Sequence, residues 1–341
     1  KMVDALMSTP QYGEKMALHW LDVGRYSDSY GYQDDNIRSQ WPWRDWVIHA
    51  FNQNMPYNQF LTWQIAGDML PNATKEEILA TGFLRNHKYT EEGGVIPEEY
   101  RIEYLLDKTK TYGKGIMGIT IECAQCHDHK YDPFSQKDYY SLLAFFNNTK
   151  EVGYEGDVSI SKPAKNPILY INDSDIQKTF NYISKKDTGS LMVSVMGELD
   201  TMRKTYVLRR GQYTSPTDEV RPAAPASIMN FDSTKFPRNR LGLAEWTVDK
   251  DNPLTARVFV NQLWQEIFGR GIVKTSGDFG MQGELPSHPQ LLDWLAVDFM
   301  EHGWDIKRLV KQIVMSATYR QSDMISKEQE EKDPENKYLS H

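Results

Sequence analysis

Cys123 and Cys126 stand three positions apart, and His127 follows the second directly. They are the only two cysteines in 341 residues, within the stretch ECAQCHDHKYDP at Glu122–Pro133. Cysteines used for packing alone have no reason to pair so closely, and a stapling disulfide normally closes a longer loop. C-x-x-C-H is the spacing of covalent c-type haem attachment. Each thiol adds across a vinyl group of the porphyrin, and the neighbouring imidazole is delivered to the iron as an axial ligand. The expected cofactor is therefore one covalent haem c, bound by Cys123 and Cys126, with His127 on the iron.

Three other readings of the five residues stay open. A thioredoxin-like dithiol requires a βαβ setting, whereas the flanks here are helix-periodic. Zinc on Cys123, Cys126, His127 and His129 would crowd four ligands into seven residues, too tight for an ordinary tetrahedral site. A chance match with no chemistry is the third. For the second axial position, His87 and His19 rank first among the histidines of the same half. His129 is too close to His127 to reach the opposite face of one iron. A filled distal position would indicate electron transfer, and a vacant one catalysis.

A second cluster, TEEGGVIPEEYRIE, sets Glu91 and Glu92 before two glycines and Arg101 after them. Sharp glycine geometry beside carboxylates can line a cation or substrate site. The simpler alternative is a loop feeding a helix, with Glu98 and Glu99 favouring the positive end of its dipole. Arg25 and Tyr26, in GRYSDSYGY, are either pocket residues or part of a hydrogen-bonded turn. FGRGIVKTSGDFGMQGELPSHP is glycine-rich but has no phosphate-loop fingerprint, and no hydrolase motif is present.

The elements that must position these groups are mainly α-helical, in two domains. Residues 1–150 carry helix-periodic apolar residues: Leu6, Tyr12, Met16, Trp20 and Leu21, then Trp46, Val47, Ala50 and Phe51. Thr74 with Glu77 reads as a capping box, and Ser135 as a helix cap. A long helix after Pro97 runs towards the cysteines. Residues 151–236 form an irregular, partly β connector, with a strand at NPILYIND, a basic turn at LRRGQY and an extended TSPTDEVRPAAP. From 237 to 341 helices return, with a stop at Gly269 and Gly271 and a start at Pro289 capped by Ser287. At 40% hydrophobic and 12% aromatic residues the chain has ample core material. A net charge of −8 without a basic block argues against a nucleic-acid partner. No apolar run is long enough to span a membrane.

The stretches HWLDVGRYSDSYGY, WRDWVIHAFNQNMPYNQF, EEGGVIPEEYRIE and CAQCHDHKYDPFSQKDYYSLLAFFNN resemble the DUF1549 domain, also called the planctomycete cytochrome-like or PSCyt2 domain. RNRLGLAEWTVDKDNPLTARVFVNQLWQEIFGRGIVKTSGDFGMQGELPSHPQLLDWLA resembles its usual companion, DUF1553 or PSD1. The resemblance implies a periplasmic or cell-surface protein, often a lipoprotein anchored upstream, with further sequence within 151–236 and beyond 341. It maps the family's C-x-x-C-H onto Cys123, Cys126 and His127. It also makes His129 and Asp132, in the shared HDHK-x-DP extension, pocket candidates. The expected function is electron transfer or haem-based redox chemistry with a redox partner protein. The alternative is a haem-free binding or assembly component of a surface polysaccharide-processing complex, its cysteines forming a disulfide or metal site.

Overall fold

The computed structural model describes residues 1–156, 160–184, 189–322 and 324–339. Among them helices dominate, and strands form only two small antiparallel sheets. The periodic stretch from Leu6 to Leu21 is two helices, α1 (Met2–Met7) and α2 (Pro10–Val23). Pro10 has no N–H to continue the first, so the chain turns at Ser8–Thr9 and restarts. The α3 helix (Trp41–Asn52) buries Trp43, Trp46, Val47, Ala50 and Phe51, the face its periodicity predicts. It is followed by α4 (Tyr57–Ala66) and α5 (Lys75–Ala80). The predicted capping box on α5 forms: Thr74 Oγ1 accepts from the Glu77 N–H, and the Glu77 carboxylate accepts from the Thr74 N–H. Then come α6 (Pro97–Thr111) and α7 (Gln136–Asn147), the latter capped by Ser135.

The middle region contains β1 (Ile168–Ile171), α8 (Asp173–Lys178), β2 (Leu191–Ser194), β3 (Thr205–Leu208) and β4 (Pro216–Val220). Strand β1 pairs with β2 and β3 with β4, both antiparallel, and the basic turn Arg209–Gly211 joins the second pair. This region packs as part of the molecule rather than as a tether. Ile171, Phe180, Val193, Val207 and Phe231 belong to the same continuous apolar core as the helices on either side. The last third supplies α9 (Arg240–Thr247), α10 (Thr255–Phe268), α11 (Pro289–Glu301), α12 (Ile306–Val314) and α13 (Lys327–Lys332). Gly269 closes α10 in the left-handed region, as its position predicts. Ser287 does not cap α11. Its hydroxyl donates to the Ile272 carbonyl instead, which ties the preceding loop down and leaves His288 at the cap position.

Aromatic packing joins the two helical parts. Tyr57 of α4 stacks on Phe259 of α10 at 3.8 Å between centroids, and its backbone N–H donates to the Trp304 carbonyl. Offset stacking of buried rings adds about 0.5–1.5 kcal/mol to the area they bury. No described helix is long and apolar enough to cross a membrane.

Candidate functional site

The approach to the cysteines changes helix type twice. α6 passes into a π-helical turn at Tyr112–Ile116, the chain reverses at Gly118 (φ 61°), and a 3₁₀ helix runs from Ile121 to Gln125. With three residues per turn, side chains three apart eclipse. Ile121 and Ala124 therefore both face the core and are fully buried, while Cys123 and Cys126 both emerge exposed. The two thiols are free. The Gln125 carbonyl accepts from Tyr140 Oη at 3.0 Å and Gln136 Nε2 at 2.9 Å, which fixes the segment on α7. The β3–β4 turn leans on it from the other side. A Cβ at Gly211 (φ 74°) would lie 3.4 Å from Cys126 Sγ.

The two histidines of the motif are set in opposite protonation patterns. His127 Nδ1 lies 2.7 Å from the Asp128 carbonyl, an acceptor, so Nδ1 carries the proton. Its Nε2 keeps its lone pair and has no partner among the described residues, which is the form a ligating imidazole needs. His129 Nδ1 instead accepts from the Asp132 and Tyr131 N–H groups at 2.8 and 3.3 Å. Its proton therefore sits on Nε2, and the ring braces the loop rather than offering a lone pair outward.

Asp132 extends that brace to the other domain. Its Oδ1 accepts from the Met281 N–H at 2.6 Å, while the Phe279 N–H donates to the Gly118 carbonyl at 2.7 Å. The loop around Phe279–Met281 thus grips both ends of the segment bearing the cysteines. Asp132→Ala leaves the Met281 N–H without its partner and should cost about 1–3 kcal/mol. Hydrogen exchange is expected to show faster exchange at Met281 and neighbouring amides, while α3 and α4 are unchanged.

The other predicted residues do not converge on the motif. His87 is buried, with Nε2 2.7 Å from Glu151 Oε1 and Nδ1 2.7 Å from the Lys88 carbonyl. Both nitrogens face oxygen acceptors, so His87 is corrected from distal ligand to member of a buried ionic cluster. His19 lies on α2 and lines a different cavity together with Arg25. Tyr26 donates to Asp28 and stacks on Trp43, the turn reading of that segment. Glu91 pairs with Lys165 and accepts from Ser161 and Asn36, and Glu92 accepts from the Gln33 N–H, so both carboxylates are spent on protein groups. Arg101 is held by Glu98 and Asn147 Oδ1. Among the described residues no three His, Cys, Asp or Glu side chains gather to hold a metal ion, so neither the zinc nor the carboxylate-cation arrangement is assembled. The thiols also lack the βαβ setting of a thioredoxin-like dithiol.

Sequence reasoning missed Glu151, Lys108 and Arg85, which surround His87, and Gln262, which lines the His19 cavity. Each lies far along the chain from its partners. A buried charge within a helix-periodic face, as at Lys108 in α6, was the one local sign available.

The donors suit a c-type haem: two free, exposed thiols three residues apart, and an exposed imidazole whose Nδ1 is tied to the backbone. The cavities of about 470, 510 and 510 Å³ are lined by residues other than these three. Residues 1–151 match the model of PSCyt2, a protein of unknown function (DUF1549), and residues 239–341 match that of PSD1, a protein of unknown function (DUF1553). Neither a curated protein nor a solved structure matches the chain. Residues 1–151 thus form a DUF1549 domain and residues 239–341 a DUF1553 domain, with the paired thiols in the first and the loop that grips them in the second.

Proposed function

We propose that this is a c-type haem protein of the periplasm or cell surface, acting in electron transfer or haem-based redox chemistry with a redox partner protein. The observation that carries the reading is the joint display at Cys123–His127: two free, exposed thiols three residues apart, followed by an imidazole whose Nδ1 is tied to the Asp128 carbonyl. In this reading Cys123 and Cys126 would hold the haem through thioethers, the thiol hydrogens passing to its vinyl groups. His127 Nε2 would bind its iron. When bound, the haem supplies a reversible one-electron iron couple. The protein holds the attachment face rigid through Ile121, Ala124 and the Gln125 carbonyl. Exposure of Cys123, Cys126 and His127 would leave a haem held there accessible to a docking partner.

One observation favours a second reading, a haem-free binding component of a surface complex. The three large cavities are lined without Cys123, Cys126 or His127, so ligand binding need not involve the thiols. Maleimide labelling after denaturation separates the two readings. Protein from a host that matures c-type cytochromes is expected to resist labelling at both cysteines, with or without reductant. Labelling at both positions in that protein would overturn the haem reading, and labelling only after reduction would assign a disulfide.

A further inference from the structure

Between the two domains lies a cavity of about 510 Å³ to which the haem reading gives no role. Its walls come from α2, α6, the π-helical turn and α10. Three local features mark it. Arg25 adopts a left-handed backbone (φ 55°), uncommon outside glycine and concentrated where function holds it in place. The π-helical turn contributes Lys114, and such turns recur at functional sites. Ligand sites also favour domain boundaries.

The strongest sign is a set of buried polar atoms that make no hydrogen bond among the described residues. Gln262, 7% exposed, donates through Nε2 to the Gly115 carbonyl at 3.2 Å, and its Oε1 is buried with no partner. His19 Nε2 is buried and unpartnered as well. Arg25 Nη2 lies 3.0 Å from Asp107 Oδ2, but none of the three guanidinium nitrogens, nor Oδ2, makes an aligned hydrogen bond. Native interiors rarely leave such groups unsatisfied, and a cluster of them around one cavity implies an occupant.

The occupant's chemistry follows from the donors and acceptors. Lys110 also lies 3.5 Å from Glu122 Oε1, so the charges around the cavity nearly balance. Arg25 Nε and Nη1, however, are buried donors without an acceptor among the described residues, and Lys114 lines the same wall, which favours an anion. Gln262 Oε1 needs a donor, which a simple carboxylate lacks and a hydroxyl group supplies. We propose that this interdomain cavity binds a small hydroxylated anion of the hydroxycarboxylate or acidic-sugar class. The carboxylate lies against Arg25 and Lys110, and a hydroxyl faces Gln262.

Calorimetric titration of the full chain at low salt tests this with gluconate and glucuronate as probes. At least one is expected to bind, and Arg25→Gln or Lys110→Met to weaken it by roughly tenfold or more, as loss of a charge-assisted contact does. Lys110 sits at the half-exposed rim, so its variant reports on binding even where Arg25→Gln disturbs folding. Glucose, with hydroxyls and no charge, and acetate, with charge and no hydroxyls, should each bind at least roughly tenfold more weakly. Absence of binding by both probes, equal binding of glucose or acetate, or binding unchanged in Lys110→Met would each overturn the proposal.

Discussion

Glu151→Gln is expected to destabilise the protein by about 3–5 kcal/mol, the cost of breaking a buried ionic cluster from one side. Glu151 Oε1 lies 2.9 Å from Arg85 Nε and 2.7 Å from His87 Nε2, and Oε2 pairs with Lys108 Nζ. Each of the four side chains is at most 2% exposed. Glutamine keeps the shape and removes the charge, so Arg85 and Lys108 are left as uncompensated buried cations. Thermal or urea unfolding reads the loss, and Glu151→Asp should retain part of the stability because it retains the charge.

The same cluster predicts a pH dependence. Burial raises the Glu151 pKa, but the charges of Arg85 and Lys108 outweigh it and hold the carboxyl well below its ordinary 4.5. A depressed folded-state pKa gives stability that is fully present above 4.5 and is lost as pH falls through the folded value. Wild-type stability should therefore fall steeply below that point, and the Glu151→Gln profile should be flatter there. Parallel profiles would mean that Glu151 is not the anion of the cluster.

Arg240→Met is expected to cost about 3 kcal/mol or more, by loosening the joint between the three segments of the chain. Arg240 is fully buried at the start of α9. It donates to Asp68 Oδ1 and Oδ2 at 2.8 and 2.7 Å, to Glu198 Oε1 at 2.7 Å and to the Ile65 carbonyl at 2.7 Å. One guanidinium thus binds the first domain, the middle region and the second domain together. Burial disfavours its charge, but the two carboxylates more than offset this and keep it protonated. Methionine fills similar space but leaves Asp68 and Glu198 repelling each other. The triple variant Arg240→Met, Asp68→Leu, Glu198→Leu should recover much of the lost stability, since replacing a whole buried ionic group is often neutral. A single variant as stable as wild type would show that the joint rests on apolar packing alone.

These two clusters also mark where sequence reading stops. Local rules were legible: Thr74 with Glu77 and Ser135 at helix starts, Gly269 at a helix end, and the buried face of α3 all follow from spacings of a few residues. The strand at Ile168–Ile171 and the basic turn at Arg209–Gly211 could be read in the same way. Ser287 failed as a cap because a carbonyl at Ile272, distant in sequence, competed for its hydroxyl. His87 looked available as a distal ligand because nothing near it in sequence names Glu151 as its partner. Arg240 and Asp68, or Gln262 and Gly115, likewise meet only after the core has assembled. The motif itself was fully legible in type and spacing. The structure adds that a 3₁₀ turn leaves both thiols exposed and that backbone contacts give His127 and His129 different protonated nitrogens.

On the function proposed above, Cys123, Cys126 and His127 hold a covalent haem. This is tested most directly by a pyridine haemochrome spectrum of protein purified from a cytochrome c-maturing host, beside the Cys123→Ala, Cys126→Ala variant. A c-type spectrum that survives acid–acetone extraction is expected in the wild type and should be absent from the variant. A fully matured, folded wild-type protein with no haem band would contradict it.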